Sequence, residues 1–131
     1  MTSPSIQLAH VALSVTDNDR AVKFYTQVLG LREARRPDFG VPGAWLTTGV
    51  GMIHLIEVPE IPEPRDPFAH FALNVATDQI AALTDAVREG GGTVHGEPHT
   101  RDEFGKPVTA SFCSDTEGNR FEITDGGMTT D

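Results

Sequence analysis

Four polar side chains interrupt otherwise apolar strands of this sequence and could together bind a metal ion. They are His10, His54, His70 and Glu122, and each stands between two apolar residues. Successive side chains of a strand alternate between its faces, so the four are expected opposite their apolar neighbours. Imidazole and carboxylate groups suit Zn, Fe, Ni, Co or Mn, and four protein ligands leave coordination positions for water or substrate. The set therefore predicts one divalent transition metal.

A repeat within the chain carries two of these histidines. The stretch AHVALSV at residues 9–15 recurs as AHFALNV at residues 69–75, and each copy precedes an amphipathic helical pattern. Similarity at a period of about half the chain indicates a structural duplication. We therefore expect two small units that share one core.

Each half is predicted to contain a strand, a helix and three further strands. A helix cap is expected at Asp17 or Asn18 and again at Thr77 or Asp78, with stops at Gly30 and Gly90. A proline-rich connector covers 59–67, and 98–107 is predicted to be a loop. The predicted strands cover 6–15, 31–36, 44–48, 52–58, 68–75, 93–97, 108–113 and 120–125. One face of these strands is apolar and can take the helices, whereas the opposite face holds the four polar residues.

Composition excludes several classes of partner. The 131 residues carry a net charge of -9 without any run of Lys or Arg, which argues against nucleic acid and acidic membrane surfaces. No apolar run approaches the ~20 residues that span a bilayer, and no signal peptide is predicted. The single cysteine, Cys113, excludes an internal disulfide and is interpreted as a small buried hydrophobe. We expect a cytoplasmic protein with a small-molecule substrate.

The chain resembles the vicinal oxygen chelate superfamily, which includes glyoxalase I, type I extradiol dioxygenases and the bleomycin-resistance binding proteins. The resemblance covers residues 6–124 and rests on LAHVALSV, DNDRAVKFYTQVLGL, HFALNV and SDTEGNRFEI. It implies an α+β fold in which two tandem βαβββ modules form a curved mixed sheet around a metal-binding cavity, with the helices on the outer face. One domain over 1–131 is expected, with module one at about 6–58, the linker at 59–67 and module two at about 68–125.

The resemblance also assigns roles to the four polar residues. The metal ligands of the family's first strands fall on His10 and His70, and its last-strand glutamate falls on Glu122. His54 occupies a position where glyoxalase I usually has glutamate. A divalent ion with one carboxylate ligand keeps a net charge near +1, which favours an anionic ligand such as an enediolate or a catecholate. Glu122 is then the one metal-bound carboxylate that could also move a proton.

The implied function is that of a small metal-dependent enzyme. We expect a glyoxalase-like isomerase, lyase or epimerase that acts on adjacent oxygens through a metal-stabilised anionic intermediate, with Glu122 as catalytic residue. An extradiol-type dioxygenase and a metal-free binding or resistance protein are the alternatives. Extradiol enzymes use a further catalytic histidine, whereas His95 and His99 are interpreted here as surface residues. No pattern for glutathione is recognisable. Many relatives are homodimers, so the resemblance implies a homodimer.

Three further residues are candidates for substrate contact. Trp45 could line the cavity, although core or dimer packing would explain it equally well. Arg101 and Phe104 lie in the predicted loop before the seventh strand, where mobile residues could reach a substrate or could simply be solvated.

Overall fold

A computed structural model describes residues 5–127 of the chain. Two α-helices and eight strands follow one another in a repeated order. The elements are β1 (His10–Val15), α1 (Asn18–Lys23), β2 (Arg32–Ala34), β3 (Gly43–Thr47), β4 (Met52–Glu57), β5 (Phe71–Asn74), α2 (Ile80–Glu89), β6 (Thr93–Arg101), β7 (Val108–Ser114) and β8 (Arg120–Thr124). A π-helical turn at Phe24–Val28 extends α1, and a 3₁₀ turn at Thr77–Gln79 precedes α2.

The strands form two four-stranded mixed sheets with the same topology. Their orders are β1-β4-β3-β2 and β5-β8-β7-β6. In each sheet the first strand runs parallel to the last and the remaining pairs are antiparallel. Ala12 of β1 lies opposite His54, and Ala72 of β5 lies opposite Glu122. This confirms the predicted α+β class and places His54 and Glu122 at equivalent positions of the two modules.

The two helices begin differently. The carboxylate of Asp17 accepts a hydrogen bond from the backbone N–H of Arg20 at 3.1 Å, which confirms the first predicted cap. The cap predicted at Thr77 or Asp78 is wrong, because α2 begins without any side-chain cap. The hydroxyl of Thr77 donates instead to the carboxylate of Asp125 at 2.7 Å.

Strand β6 is longer than the sequence predicts. The proposed loop over 98–107 is partly wrong, because β6 continues to pair with β7 as far as Arg101 opposite Val108. Irregular register on either side of Gly96 bends the strand. Such bulges accept proline, since one backbone group there is left out of the ladder, and this explains how Pro98 lies within a strand.

One apolar core joins both modules. Phe24 at the end of α1 contacts Phe121 of β8, with ring centroids 6.1 Å apart. The apolar strand faces predicted from the sequence contribute to this core, either as buried residues or as half-buried residues packed against it. Cys113 is 1% exposed, and burial raises the pKa of its thiol despite a weak hydrogen bond between this thiol and Ser111. No helix within residues 5–127 is long and apolar enough to cross a membrane.

A buried glutamate in the β7–β8 turn connects module two to the start of α1. The carboxylate of Glu117 is 2% exposed and accepts hydrogen bonds from the backbone N–H of Thr16 at 2.8 Å and of Asp17 at 3.1 Å. It also accepts one from the Thr16 hydroxyl at 2.9 Å and pairs with the guanidinium of Arg20 at 2.8 Å. The N-terminal end of a helix stabilises a negative charge, so the start of α1 stabilises the ionised carboxylate of Glu117.

A second carboxylate in the same turn reinforces this connection. Asp115 accepts a hydrogen bond from the buried hydroxyl of Tyr25 at 2.6 Å and from the backbone N–H groups of Glu117 and Asn119. The amide of Asn119 donates to the carbonyl of Ser14 at 3.1 Å. The turn that leads into β8 is therefore bound to the end of β1.

Replacement of Glu117 by Gln should reveal the contribution of this ion. Burial by itself raises the pKa of Glu117, but the hydrogen bonds from Thr16, Arg20 and Asp17 outweigh burial and hold the pKa below the usual 4.5. A depressed folded-state pKa stabilises the protein above the unfolded pKa, and this stabilisation is lost as the pH falls through the folded value. We expect Glu117→Gln to lower the free energy of unfolding by about 1–3 kcal/mol at neutral pH.

Urea unfolding between about pH 3 and pH 8 measures this difference. The difference in unfolding free energy between wild type and Glu117→Gln should narrow as the pH falls below 4.5 towards the lower pKa of the folded-state carboxylate. Glu97→Gln is the control, because Glu97 pairs with Arg88 at an exposed site and should contribute less than about 0.5 kcal/mol. A gap independent of pH would contradict the role of the charge.

Candidate functional site

The first pair of predicted ligands lies on the open face of the first sheet. The rings of His10 and His54 are stacked, with centroids 3.9 Å apart and planes within 13° of each other. Ile53 and Leu55 on either side of His54 point into the core and are buried, as alternation predicts. His54 is half-buried and His10 is exposed.

An aromatic row continues from His54 across the sheet. Trp45 of β3 is the cross-strand neighbour of His54, and the two rings are stacked 4.5 Å apart at 9°. Phe39 lies 6.2 Å from Trp45 on the loop before β3, and the guanidinium of Arg36 lies 5.0 Å from the Phe39 ring. The open face beside the histidines is therefore lined by flat groups.

The surroundings of His54 favour its neutral form. Burial lowers the pKa of this imidazole, and the neighbouring His10 and Arg36 lower it further. A neutral imidazole is the form that binds a metal ion, since a protonated ring offers no lone pair.

The second pair lies at the equivalent place in module two. Nε2 of His70 is 3.4 Å from Oε1 of Glu122, and Nδ1 of His70 is 2.7 Å from the carbonyl oxygen of Phe68. The carbonyl can only accept, so Nδ1 carries the donated proton and the lone pair of the neutral ring is on Nε2. The ring edge also meets Phe112, with centroids 5.7 Å apart.

This geometry suits a cation between the two side chains. In the neutral ring, Nε2 and the carboxylate oxygen are both electron-rich, so a proton or a metal ion between them would stabilise the pair. Two ligand atoms that each bind one tetrahedral ion at about 2.1 Å are about 3.4 Å apart. A backbone carbonyl that fixes the other ring nitrogen is the usual support of a metal-binding histidine.

The four predicted ligands form two pairs in the single chain. Within residues 5–127, no three or more His, Cys, Asp or Glu side chains come together in a way that could hold an ion. One chain alone thus does not bring His10 and His54 together with His70 and Glu122. That all four bind one ion stays a prediction.

The three candidate substrate residues also belong to different modules. Trp45 belongs to the aromatic row, whereas Arg101 pairs with Glu103 in the β6–β7 hairpin and its guanidinium lies 5.6 Å from the Phe104 ring. His95 and His99 are exposed, in agreement with their interpretation as surface residues. Nε2 of His95 is 2.6 Å from the hydroxyl of Ser114.

Arg65 is a residue near the site that the sequence did not single out. A cavity of about 300 Å³ lies between the modules and is lined by Val11, His70 and Arg65, among others. Arg65 donates to the backbone carbonyl of Glu117 at 2.6 Å. Arg65 lies in the proline-rich connector, where no hydrophobic periodicity predicts the direction of a side chain. The one feature that could have drawn attention to it is a positive charge among prolines.

Comparison with known proteins supports one family. Residues 7–123 match the model of the Glyoxalase/Bleomycin resistance protein/Dioxygenase superfamily. The chain is 29% identical to a lactoylglutathione lyase of Haemophilus influenzae over 95% of this chain and 96% of that protein. It is 30% identical to lactoylglutathione lyase GLX1 of Arabidopsis thaliana over 92% of this chain and 44% of that protein. The chain spans 37% to 44% of the length of three plant relatives.

Solved structures share the fold. The fosfomycin resistance protein FosX from Mesorhizobium loti superposes with a TM-score of 0.72 at 16% identity, covering 93% of each chain. A glyoxalase/bleomycin resistance protein/dioxygenase from Alicyclobacillus acidocaldarius gives a TM-score of 0.69 at 20% identity, covering 95% of this chain and 93% of that one. At these identities the likeness shows the fold alone.

The tautomer of His70 offers a direct check of the second pair. We expect the neutral ring to carry its proton on Nδ1, because the Phe68 carbonyl accepts from that atom. Long-range ¹H–¹⁵N spectra of chelator-treated protein, recorded at high pH where imidazoles are neutral, identify the protonated nitrogen. The exposed His99 serves as an internal reference. A proton on Nε2 of His70 would contradict the geometry.

Proposed function

The chain belongs to the Glyoxalase/Bleomycin resistance protein/Dioxygenase superfamily. We propose that it is a metal-dependent enzyme of the glyoxalase type. It acts as a lyase or isomerase on a small substrate with two adjacent oxygens. The relatives named lactoylglutathione lyase support this reaction class. The cofactor is one divalent ion, drawn from Zn, Fe, Ni, Co and Mn.

The pairing of His70 with Glu122 carries the proposal. These side chains come from different strands, β5 and β8, and their ligand atoms lie 3.4 Å apart with the histidine tautomer already fixed by Phe68. A structural ion pair would not require a carbonyl on Nδ1, whereas a metal site commonly has one. The donor set therefore fits a divalent ion.

A second copy of the chain completes the site in this proposal. The pairs His10–His54 and His70–Glu122 occupy equivalent positions of two like modules, and one chain keeps them apart. β1 and β5 are edge strands of their sheets, and an unpaired edge is a ready place for another chain. The apolar residues beside these edges are largely exposed, Ile6 and Leu8 before β1 and Phe68 before β5. A two-fold dimer would cover both edges with one repeated contact.

Glu122 moves the proton in the proposed reaction. Its carboxylate takes a proton from the hydroxyl-bearing carbon beside a carbonyl, and the electron pair shifts towards the carbonyl oxygen. The hydroxyl proton passes to that oxygen, and the same carboxylate returns the first proton to the former carbonyl carbon. Reactant and product are isomers, so no oxidant or reductant is consumed. When bound, the ion supplies a Lewis acid for the two adjacent oxygens. A divalent ion held by three imidazoles and one carboxylate would keep a net positive charge, which would favour the anionic form of the substrate.

Mixed dimers test whether two copies share the site. One partner carries His10→Ala and His54→Ala, the other carries His70→Ala and Glu122→Ala, and two affinity tags isolate dimers that contain one of each. If the site combines both chains, each mixed dimer has one intact site and one site without ligands. We therefore expect about half of the wild-type zinc content, measured by plasma mass spectrometry after gel filtration.

Dimers of either variant alone should retain almost no zinc, and His99→Ala should retain the wild-type amount. Zinc in the mixed dimer no higher than in the parents would contradict a shared site. Wild-type protein that sediments as a monomer would contradict it as well.

Substitution of Glu122 by Gln tests the catalytic role. We expect this variant to isomerise the hemithioacetal of methylglyoxal and glutathione with a kcat lower by about 10²- to 10⁴-fold, as loss of a general base implies. Thioester absorbance follows the product, and Glu103→Gln is the control because Glu103 contacts only its own hairpin partners in the structure.

Other outcomes would support the alternatives. Oxygen uptake with a catechol substrate would favour an extradiol-type dioxygenase. Stoichiometric binding of a small molecule by chelator-treated protein, without turnover under any of the five metals, would favour a metal-free binding protein.

A further inference from the structure

We propose that Trp45 is a positioning residue for His54, and that an ion enters the site by displacing the ring of His10 while the Trp45–His54 stack persists. This inference rests on the proposed function, because it concerns two of the four proposed ligands. It adds a residue that touches no metal and a movement that the other ligands do not require.

Both flat faces of His54 are covered. His10 lies 3.9 Å away on one face and Trp45 lies 4.5 Å away on the other, and neither ring is tilted by more than 13°. Trp45 is held there by the sheet itself, since it is the antiparallel partner of His54. Cross-strand neighbours of this kind are within direct packing distance. The imidazole of His54 is therefore the middle layer of a three-ring stack.

The stack of His10 on His54 does not suit a shared ion. The lone pair of an imidazole nitrogen lies in the plane of its ring, so nearly parallel rings direct their lone pairs along nearly parallel lines. With rings 3.9 Å apart, those lines do not meet at a point about 2.1 Å from both nitrogens. At least one of the two rings must turn before both can bind the same ion.

His10 is the ring that is free to turn. In the single chain it is exposed at the start of the edge strand β1, and within residues 5–127 His54 is the one ring stacked on it. His54 is half-buried between two rings, and Trp45 has a further aromatic neighbour in Phe39, with ring centroids 6.2 Å apart. Bound to a cation, the His54 ring becomes more positive, and attraction to the indole face grows. Binding of the ion thus strengthens the Trp45–His54 stack and separates His10 from His54.

Tryptophan fluorescence reports on this stack alone, because Trp45 is the only tryptophan in the chain. The experiment titrates chelator-treated wild-type protein with Zn²⁺, whose closed d shell avoids paramagnetic quenching. Calorimetry on the same samples gives the affinity independently. We expect the emission of Trp45 to change on Zn²⁺ addition and to saturate at the calorimetric midpoint.

Variants separate positioning from simple packing. Trp45→Ala should weaken Zn²⁺ binding by about tenfold, in line with other residues that orient a metal ligand. Trp45→Phe keeps a ring against His54 and should restore the affinity to within about threefold of wild type. Val50→Ala is the control, since this exposed side chain lies in the β3–β4 turn outside the stack and should leave the affinity unchanged.

Each outcome decides one of the two proposals. If wild type binds Zn²⁺ by calorimetry but the emission of Trp45 stays constant and Trp45→Ala binds as tightly, the inference is wrong and the proposed function stands. If wild type binds no Zn²⁺, the proposed function fails first. Should Trp45→Ala fold poorly, the emission of the wild type and the affinity of Trp45→Phe still decide, because loss of either expected result contradicts the inference.

Discussion

The hydrogen bonds between the β7–β8 turn and the start of α1 determine how the two modules lie against each other. Glu117 satisfies the first backbone N–H groups around the helix start, and Asp115 satisfies the buried hydroxyl of Tyr25. Removing either carboxylate would leave buried donors unpaired, which is costly in an interior. Asn119 from the same turn reaches the end of β1. One polar cluster thus fixes the strand that carries His10 relative to the strand that carries Glu122.

That fixed arrangement explains why the four predicted ligands form two pairs in one chain. Each module places its pair at the same register, where the first strand runs beside the last. Duplication therefore places two similar pairs of predicted ligands in the chain, and the core shared by the modules keeps each module in its own orientation. In the proposed site, a second copy would bring pairs from different modules to face each other.

Much of this was accessible from the sequence. The repeat around His10 and His70, and the alternation around His54 and Glu122, predicted the strands and the polar face, because side-chain alternation is a local property. The cap predicted at Thr77 or Asp78 is wrong because the hydroxyl of Thr77 donates instead to Asp125, which lies 48 residues further along the chain. The contact of Glu117 with the start of α1 and the stacking of Trp45 on His54 could not be predicted from the sequence. Both depend on contacts between distant segments and on ring orientations that no local pattern encodes.

Chemical labelling of the buried Cys113 thiol can report how fast the second sheet opens. Cys113 is 1% exposed and its pKa is raised by burial, so in the folded state it offers neither access nor thiolate to an alkylating reagent. Because it is the only cysteine, covalent labelling would occur only in molecules that have opened β7. The labelling rate in water, without denaturant, would therefore equal the opening rate of the second sheet once the reagent is concentrated enough for alkylation of the opened state to outpace its reclosing.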